Sequence, residues 1–344
     1  MAPRSEFPMS ILHGLAALAL AAASSLSLAQ TTYKVEPSQV ATDNARMLGE
    51  VQRVAITQFV VQFLDRQSNR VTSSGFRGGA AAKASLTLAG PGQAQYQRIA
   101  EALYDEAVRT VQAAGIEVIP QAQLAAHPEY AKLAESGKPS PIEDEKFVGY
   151  GGWTYSARGL PITFDSDDEE SFTVRGNDLD PRGDHYRSMG NMLGGNSTST
   201  RWAEWNLAKG LDAHLLKVRV TVPMAFIETS GGFMAGSAST KVVVAPRLAR
   251  DVTRFTFRRE RDAARVRLDA HLPMPADMVS LETLKKNVDN SGGLGAALGL
   301  LSAGQAEAEY RLNADPARYE SEVLGAARAT FAGFGLALSQ RARR

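Results

Sequence analysis

Residues 53–64 read Arg-Val-Ala-Ile-Thr-Gln-Phe-Val-Val-Gln-Phe-Leu, and nearly every one is β-branched, aromatic or aliphatic. The run ends at a charged pair, Asp65 and Arg66. A short apolar run bounded in this way predicts a central strand buried on both faces. Downstream, Tyr96, Ile99, Ala100, Leu103, Ala107, Val108 and Val111 recur at helical spacing, which predicts an amphipathic helix over 95–114. Gly115 follows as the residue that closes the helix, and Ile-Glu-Val-Ile at 116–119 predicts a second short strand before Pro120. A strand, an amphipathic helix and a strand bury their apolar faces together in an α/β layer.

The second half of the chain predicts an antiparallel meander. Leu216, Val218, Val220 and Val222 alternate with Lys217, Arg219 and Thr221, so one face of a long strand over 213–227 is expected inside and the other in water, with His214 at the strand's edge. Return strands are expected over 237–246, 252–258 and 264–271. The segment 281–288 reads as helix. Asp315-Pro-Ala-Arg opens a last helix to about Leu338, with Tyr319, Val323, Ala326, Ala327, Phe331 and Phe334 on its inner face. The expected fold class is therefore α/β (α+β), a mixed sheet with flanking helices plus an antiparallel meander in the C-terminal half.

The chain has 344 residues, 44% apolar and 22% charged, which is globular composition. Its net charge of +1 is unchanged without the first 29 residues, because Arg4 and Glu6 cancel. That balance gives no footprint for phosphate-driven nucleic-acid binding. The absence of cysteine excludes disulfides, thiolate catalysis, cysteine zinc sites and a lipidated cysteine anchor. Arg4, an apolar run over 11–23 and Ser27-Leu28-Ala29 fit a secretory signal peptide, and no other stretch has the length of an apolar membrane helix. Export to a bacterial periplasm or the outer-membrane periphery is the localisation expected. The organisation expected is a signal peptide at 1–29, a strand–helix–strand unit at 30–145, a loop-rich acidic insertion at 146–200, and 201–344 completing the same or a second domain.

Candidate sites are few. The glycine-rich connection over 68–95 lacks the Gly-Lys-Ser/Thr ending of a phosphate loop and reads as a flexible loop holding one short strand at 84–89. His127 precedes Pro128 and reads as a surface or capping residue, and 138–145 reads as linker. There is no Gly-x-Ser-x-Gly elbow and no His-Glu-x-x-His. The acidic stretch 165–185 holds Asp178, Asp180 and Asp184, oxygen donors at loop spacing for which calcium is the cofactor candidate, although the glycine and terminal glutamate of an EF-hand are missing. A solvated loop is the other reading of those residues. Trp202 and Trp205, with Leu294, Leu298 and Leu300 in the glycine-laden segment 291–304, are the candidate contact residues for other chains.

The order of the apolar strand Val-Ala-Ile-Thr-Gln-Phe (54–59), the amphipathic helix, the Ile-Glu-Val-Ile strand and the later meander resembles the curli-secretion-channel family and related periplasmic modules of outer-membrane assembly factors. The resemblance covers about 53–135 and 211–271. It implies an α/β domain that assembles into rings at the outer membrane, hence a homo-oligomer with envelope partners. The family's lipidated cysteine has no counterpart here, nor does the acidic insertion. Membrane hairpins like the family's are expected only within 229–258, where Lys241, Arg247, Arg250, Asp251 and Arg254 oppose lipid contact.

The function expected is thus an exported, non-enzymatic envelope scaffold that works by oligomerisation or partner binding. The alternative is a calcium-dependent secreted binding protein or hydrolase using residues 165–185. The alternative predicts that Asp178→Ala and Asp180→Ala abolish a calcium-dependent rise in melting temperature; identical melting curves with and without calcium dismiss its calcium form.

Overall fold

The computed structural model describes residues 31–75, 78–147, 150–162, 197–230, 238–260, 262–289 and 305–340. In chain order it contains β1 (Val40–Asp43), α1 (Ala45–Glu50), β2 (Arg53–Gly75), β3 (Gly78–Ala89), α2 (Gln93–Ala113), β4 (Glu117–Val118), α3 (Gln121–Ala125), α4 (Pro128–Ser136), β5 (Ile142–Phe147) and β6 (Tyr150–Ser156). There follow α5 (Ser197–Leu211), β7 (His214–Pro223), β8 (Ala225–Ser230), β9 (Ser239–Val244), β10 (Arg247–Leu248), β11 (Arg254–Arg259), β12 (Asp262–Leu268), β13 (Leu272–Pro273), β14 (Val279–Asp289), β15 (Gln305–Ala314) and α6 (Pro316–Ser339). The described residues from Tyr33 onward belong to one compact unit.

The fold is mixed α/β, built on one large sheet of order β1-β12-β11-β7-β2-β3-β15-β14, with β4, β5 and β6 attached beside β2. The β2–β7 and β3–β15 pairs are parallel, while β2–β3, β7–β11, β11–β12 and β14–β15 are antiparallel. The expected meander survives as β7–β11–β12. Its first return strand does not join it: β8 and β9 form a separate two-stranded sheet.

The apolar run that predicts a central strand is only the first half of β2, which is 23 residues long. Phe59, Val61 and Phe63 pair with Val218, Val220 and Val222, and Phe255 pairs with Val218. These side chains make one continuous apolar face, buried to within 1% exposure. The helix α2 covers its β2 end, with Phe63 stacked on Tyr96 at 4.1 Å and Phe59 edge-on to Tyr104 at 5.5 Å. The last helix covers the β11 end, with Phe255 at 5.0 Å from Phe331 and 5.2 Å from Phe334. Each fully buried side chain of this size contributes about 1.5–3 kcal/mol by leaving water.

Local signals close the helices as the chain predicts. Gly115 adopts φ +76°, where a side chain would be strained. His127 Nδ1 accepts the Glu129 amide at 3.3 Å, so this histidine caps α4. Asp315 Oδ1 accepts the Arg318 amide at 2.8 Å and opens α6.

The other face of the sheet departs from expectation. All ten residues of β7 are buried, including His214 at 2% exposure, so neither a wet face nor an edge position holds. Lys217, Arg219, Arg254 and Arg258 lie on this face with 4–9% exposure. Helix α5 supplies an anion: Glu204, itself 5% exposed, sits 2.5 Å from Lys217 Nζ and 3.7 Å from Arg258 Nη1. Beside them Thr221 Oγ1 donates to Gln62 Oε1 at 3.1 Å. A polar face belongs inside only when another element brings compensating charge, and that element lies next to β7 in the chain. Removing one member of a buried charge cluster costs about 3–5 kcal/mol because the others remain buried. Glu204→Ala should therefore shift the urea unfolding midpoint by that order, and a loss below about 1 kcal/mol would show that the cations are held by other means.

Candidate interface: the four-stranded arm

At Asp65 the strand β2 changes partners. Residues 54–64 pair with β7, and residues 66–75 pair with β3 on the side that β7 has left. The opposite side pairs with β6 over 60–67, with the register shifted between Phe63 and Arg66. Gly152 of β6 stands at that shift, where a Cβ would come to 1.9 Å from the Phe63 carbonyl oxygen. Only glycine lets β2 swing past at this point.

Beyond the shift, β2, β3, β15 and β14 form a four-stranded arm. Its composition is small and alternating. Ala80, Ala82, Ala84 and Leu86 of β3 share a face with Ala308, Tyr310 and Leu312 of β15. Asn69 and Val71 of β2 join that face by register. The hairpin of β8 and β9 lies against it, where Asn69 Nδ2 donates to the Ile227 carbonyl at 3.4 Å. The alternate residues carry charge. Lys83 on β3, Glu307 and Glu309 on β15 and Lys285 on β14 interleave at 2.9 Å for Lys83–Glu307, 3.7 Å for Lys285–Glu307 and 3.9 Å for Lys285–Glu309. Arg311 and Glu282 extend the series at 3.8 Å. The Lys83 hydrogen bond holds the Glu307 carboxyl below the usual carboxylate range. Exposed pairs of this kind are each worth about 0–1 kcal/mol, so their effect is to set register rather than to hold the arm.

The arm has two edges. One is β14, the last strand in the sheet order, whose residues 280–286 are all exposed, with Leu281 and Leu284 each 43% exposed. The other is β2 beyond Gln67, which has no strand partner on the β6 side among the described residues. Rows of backbone donors and acceptors at such edges are templates for another strand.

The root of the arm holds the most displaced acid among the described residues. Burial pushes the Asp65 carboxyl up to about 6 against the opposing pull of Arg66. Arg66 Nε donates to Asp65 Oδ1 at 3.3 Å and its Nη1 to Glu143 of β5 at 2.6 Å. Three tyrosines close the pocket of side chains: Tyr96 of α2, Tyr155 of β6 and Tyr319 of α6, with centroid separations of 5.8 Å for Tyr96–Tyr155 and 6.1 Å for Tyr96–Tyr319. Burial, then the Asp65 charge, pushes the Tyr155 hydroxyl up to about 12; burial raises Tyr96 and Tyr319 further.

The residues singled out from sequence fall elsewhere. Trp202 and Trp205 stack on one another at 4.8 Å along α5, with Trp202 53% exposed, and they take no part in the arm. Asp178, Asp180 and Asp184, like Leu294, Leu298 and Leu300 and residues 1–29, lie outside the described residues. Among the described residues no group of three His, Asp or Glu is placed to hold a metal ion, and no helix is long and apolar enough to cross a membrane. Three expectations are corrected. Residues 68–75 and 78–89 are not a flexible loop but the outer half of β2 and β3; 138–145 is not linker throughout, since β5 begins at Ile142; and 281–288 is a strand rather than a helix. The signal for β3 and β15 was present as period-two alternation, but in alanine rather than in large apolar residues.

An acid whose folded pKa is raised favours folding while protonated. That contribution is complete below the ordinary value of 3.8 and is lost as pH rises through about 6. Two units correspond to about 3 kcal/mol at most. In urea unfolding, Asp65→Asn should match the parent at about pH 4 and exceed it by roughly 2–3 kcal/mol at about pH 7.5. A difference that does not grow with pH would refute the assignment.

Comparison with family models, with curated proteins and with solved structures finds no match to this chain, so its functional reading rests on the geometry above.

Proposed function

We propose that this chain is an exported assembly protein of a bacterial envelope, acting by association rather than by chemistry, and that copies associate through the edges of the four-stranded arm. The observation that carries the reading is β14: seven consecutive residues exposed, on a strand at the end of the sheet. An isolated domain normally blunts such an edge or covers it. Lys285 and Lys286 guard part of this one, but Leu281 and Leu284 break the guard with apolar side chains in water.

The second edge supports the same reading. It lies on the far side of the arm, on β2, so the two edges are different surfaces that face opposite ways. Contact between unlike surfaces is heterologous and gives a ring when the rotation closes. The sequence resemblance to the curli-secretion-channel family points to a ring-forming envelope scaffold as well, with an arm in a different part of the chain from the expected 229–258 region. A periplasmic or outer-membrane setting follows from reading residues 1–29 as a signal peptide.

The protein without residues 1–29 should give a discrete species heavier than one chain in light scattering behind size exclusion. Leu281→Lys with Leu284→Lys places two more charges on the exposed edge, where stability should change by no more than about 0.5 kcal/mol. The double variant should elute as a monomer with an unchanged melting temperature. A parent protein that stays monomeric at high concentration overturns the proposal.

A further inference from the structure

The root of the arm carries a second property that does not depend on association. Asp65 is the residue at which β2 passes from β7 to β3, and the β6 register slips at the same place. The chain there is held by few strand bonds and by side chains instead. Arg66 bridges Asp65 of β2 to Glu143 of β5 and donates to the Gly152 carbonyl of β6 at 3.4 Å. One guanidinium thus ties the arm's first strand to the β5–β6 hairpin.

The titratable groups that interact with the Asp65 charge come from five elements: Arg66 from its own strand, Glu143 from β5, Tyr96 from α2, Tyr155 from β6 and Tyr319 from α6. Only Arg66 is cationic. The hydroxyls of Tyr155 and Tyr319 are buried and make no hydrogen bond among the described residues, so neither reaches the carboxylate in this arrangement. A largely buried carboxylate with one shared cation, a competing Glu143 and two unsatisfied hydroxyls nearby is stabilised by water entering the root. A protonated one does not, because the neutral acid tolerates the apolar surroundings of Phe63 and the tyrosine rings.

We propose that the root of the arm is a proton-operated hinge, closed when Asp65 is protonated and loosened when Asp65 is ionised. Loss of the proton leaves a carboxylate that must share Arg66 with Glu143. The root then opens toward solvent, the β2–β6 pairing over 60–67 weakens, and the arm moves more freely relative to the body. Acidification reverses this. The raised titration of Asp65 places the transition near mildly acidic pH, within the range an exported protein meets.

Hydrogen exchange read by mass spectrometry on the full protein lacking residues 1–29 tests the hinge locally, with exchange times scaled for the chemical rate at each pH. Amides of 60–75 and 150–156 should be protected about tenfold or more at about pH 5 relative to about pH 7.5, while α2 (Gln93–Ala113) changes little. Asp65→Asn should hold both segments in the protected state at both pH values. Glu143→Gln, which keeps the Asp65 carboxyl but removes the anion that competes for Arg66, should move the midpoint of the transition to lower pH. A pH dependence that Asp65→Asn leaves intact, or one spread evenly over α2 and the arm, overturns the proposal. Light scattering on the same samples separates the hinge from association: protection that follows the mass instead of the Asp65 variant also overturns it.

Discussion

The structure depends on one strand being long enough to belong to two places. The first half of β2 is the middle of the buried sheet, flanked by β7 on one side and β6 on the other. Its second half is a member of the arm, paired with β3. The continuous backbone of β2 joins body and arm without a linker, and short connections carry β3 into α2 and β15 into α6. The change of partner at Asp65 is therefore a constraint on everything around it. It requires a glycine at 152 so that the strand can swing, and it requires β7 to end at Pro223, a residue with no amide hydrogen to offer a further ladder bond. It also places a charged pair, Asp65 and Arg66, half-buried at the boundary of the core. The charge pair that ends the apolar run in the sequence marks the joint in the fold.

The two faces of the body show how different physical terms share the work. The face under α2 and α6 is packed aromatic and aliphatic side chains, and its contribution scales with the area removed from water. The face under α5 is a band of buried lysine and arginine around Glu204. Such a band adds little net stability over a hydrophobic replacement, because desolvation offsets most of the attraction. What it adds is selectivity of placement. An apolar helix could slide over an apolar sheet, whereas α5 has one position in which Glu204 meets both Lys217 and Arg258. The arm follows a third rule. Its outer face is a lattice of exposed ion pairs, and its inner face buries small side chains such as Ala82 and Ala84, which remove less apolar area per residue than the aromatic residues of the body.

This difference explains what the sequence revealed. The first half of β2 was legible as a continuous apolar run, and the helices α2 and α6 as apolar residues at helical period; in each, that burial is itself what makes the element fold. Asp315, His127 and Gly115 were legible because capping is local chemistry. The outer half of β2 read as a loop because Ser68, Asn69, Arg70, Thr72 and Ser73 carry no apolar period, although β-sheet neighbours supply the backbone bonds they need. Leu281 and Leu284 imitate the i, i+3 spacing of a helix, and only the pairing with β15 makes 279–289 a strand. The buried polar face of β7 was illegible for a different reason. Alternating lysine and valine describe a half-wet strand equally well, and only tertiary contact with Glu204 decides the matter. The candidate interface was missed with the arm, since its defining feature is the lack of a strand neighbour among the described residues, which no residue pattern encodes.

The direction of the strands constrains how an association through the arm can work. β2 is antiparallel to β3, β3 is parallel to β15, and β15 is antiparallel to β14. The two edge strands, β2 and β14, therefore run the same way. If β14 of one copy lies beside the outer half of β2 of the next, the new ladder is parallel, with slanted bonds that are slightly weaker per residue than antiparallel ones. A two-copy contact of this kind leaves one β2 edge and one β14 edge open and gains a single short ladder. Only closure satisfies every edge, so a ring gains one more ladder than an open chain with the same number of copies. In such an association the extra ladder gained on closure would favour a closed species over open oligomers of the same size. Under the proposed hinge, closure would demand that every arm reach the same angle, and β2 changes partner at Asp65.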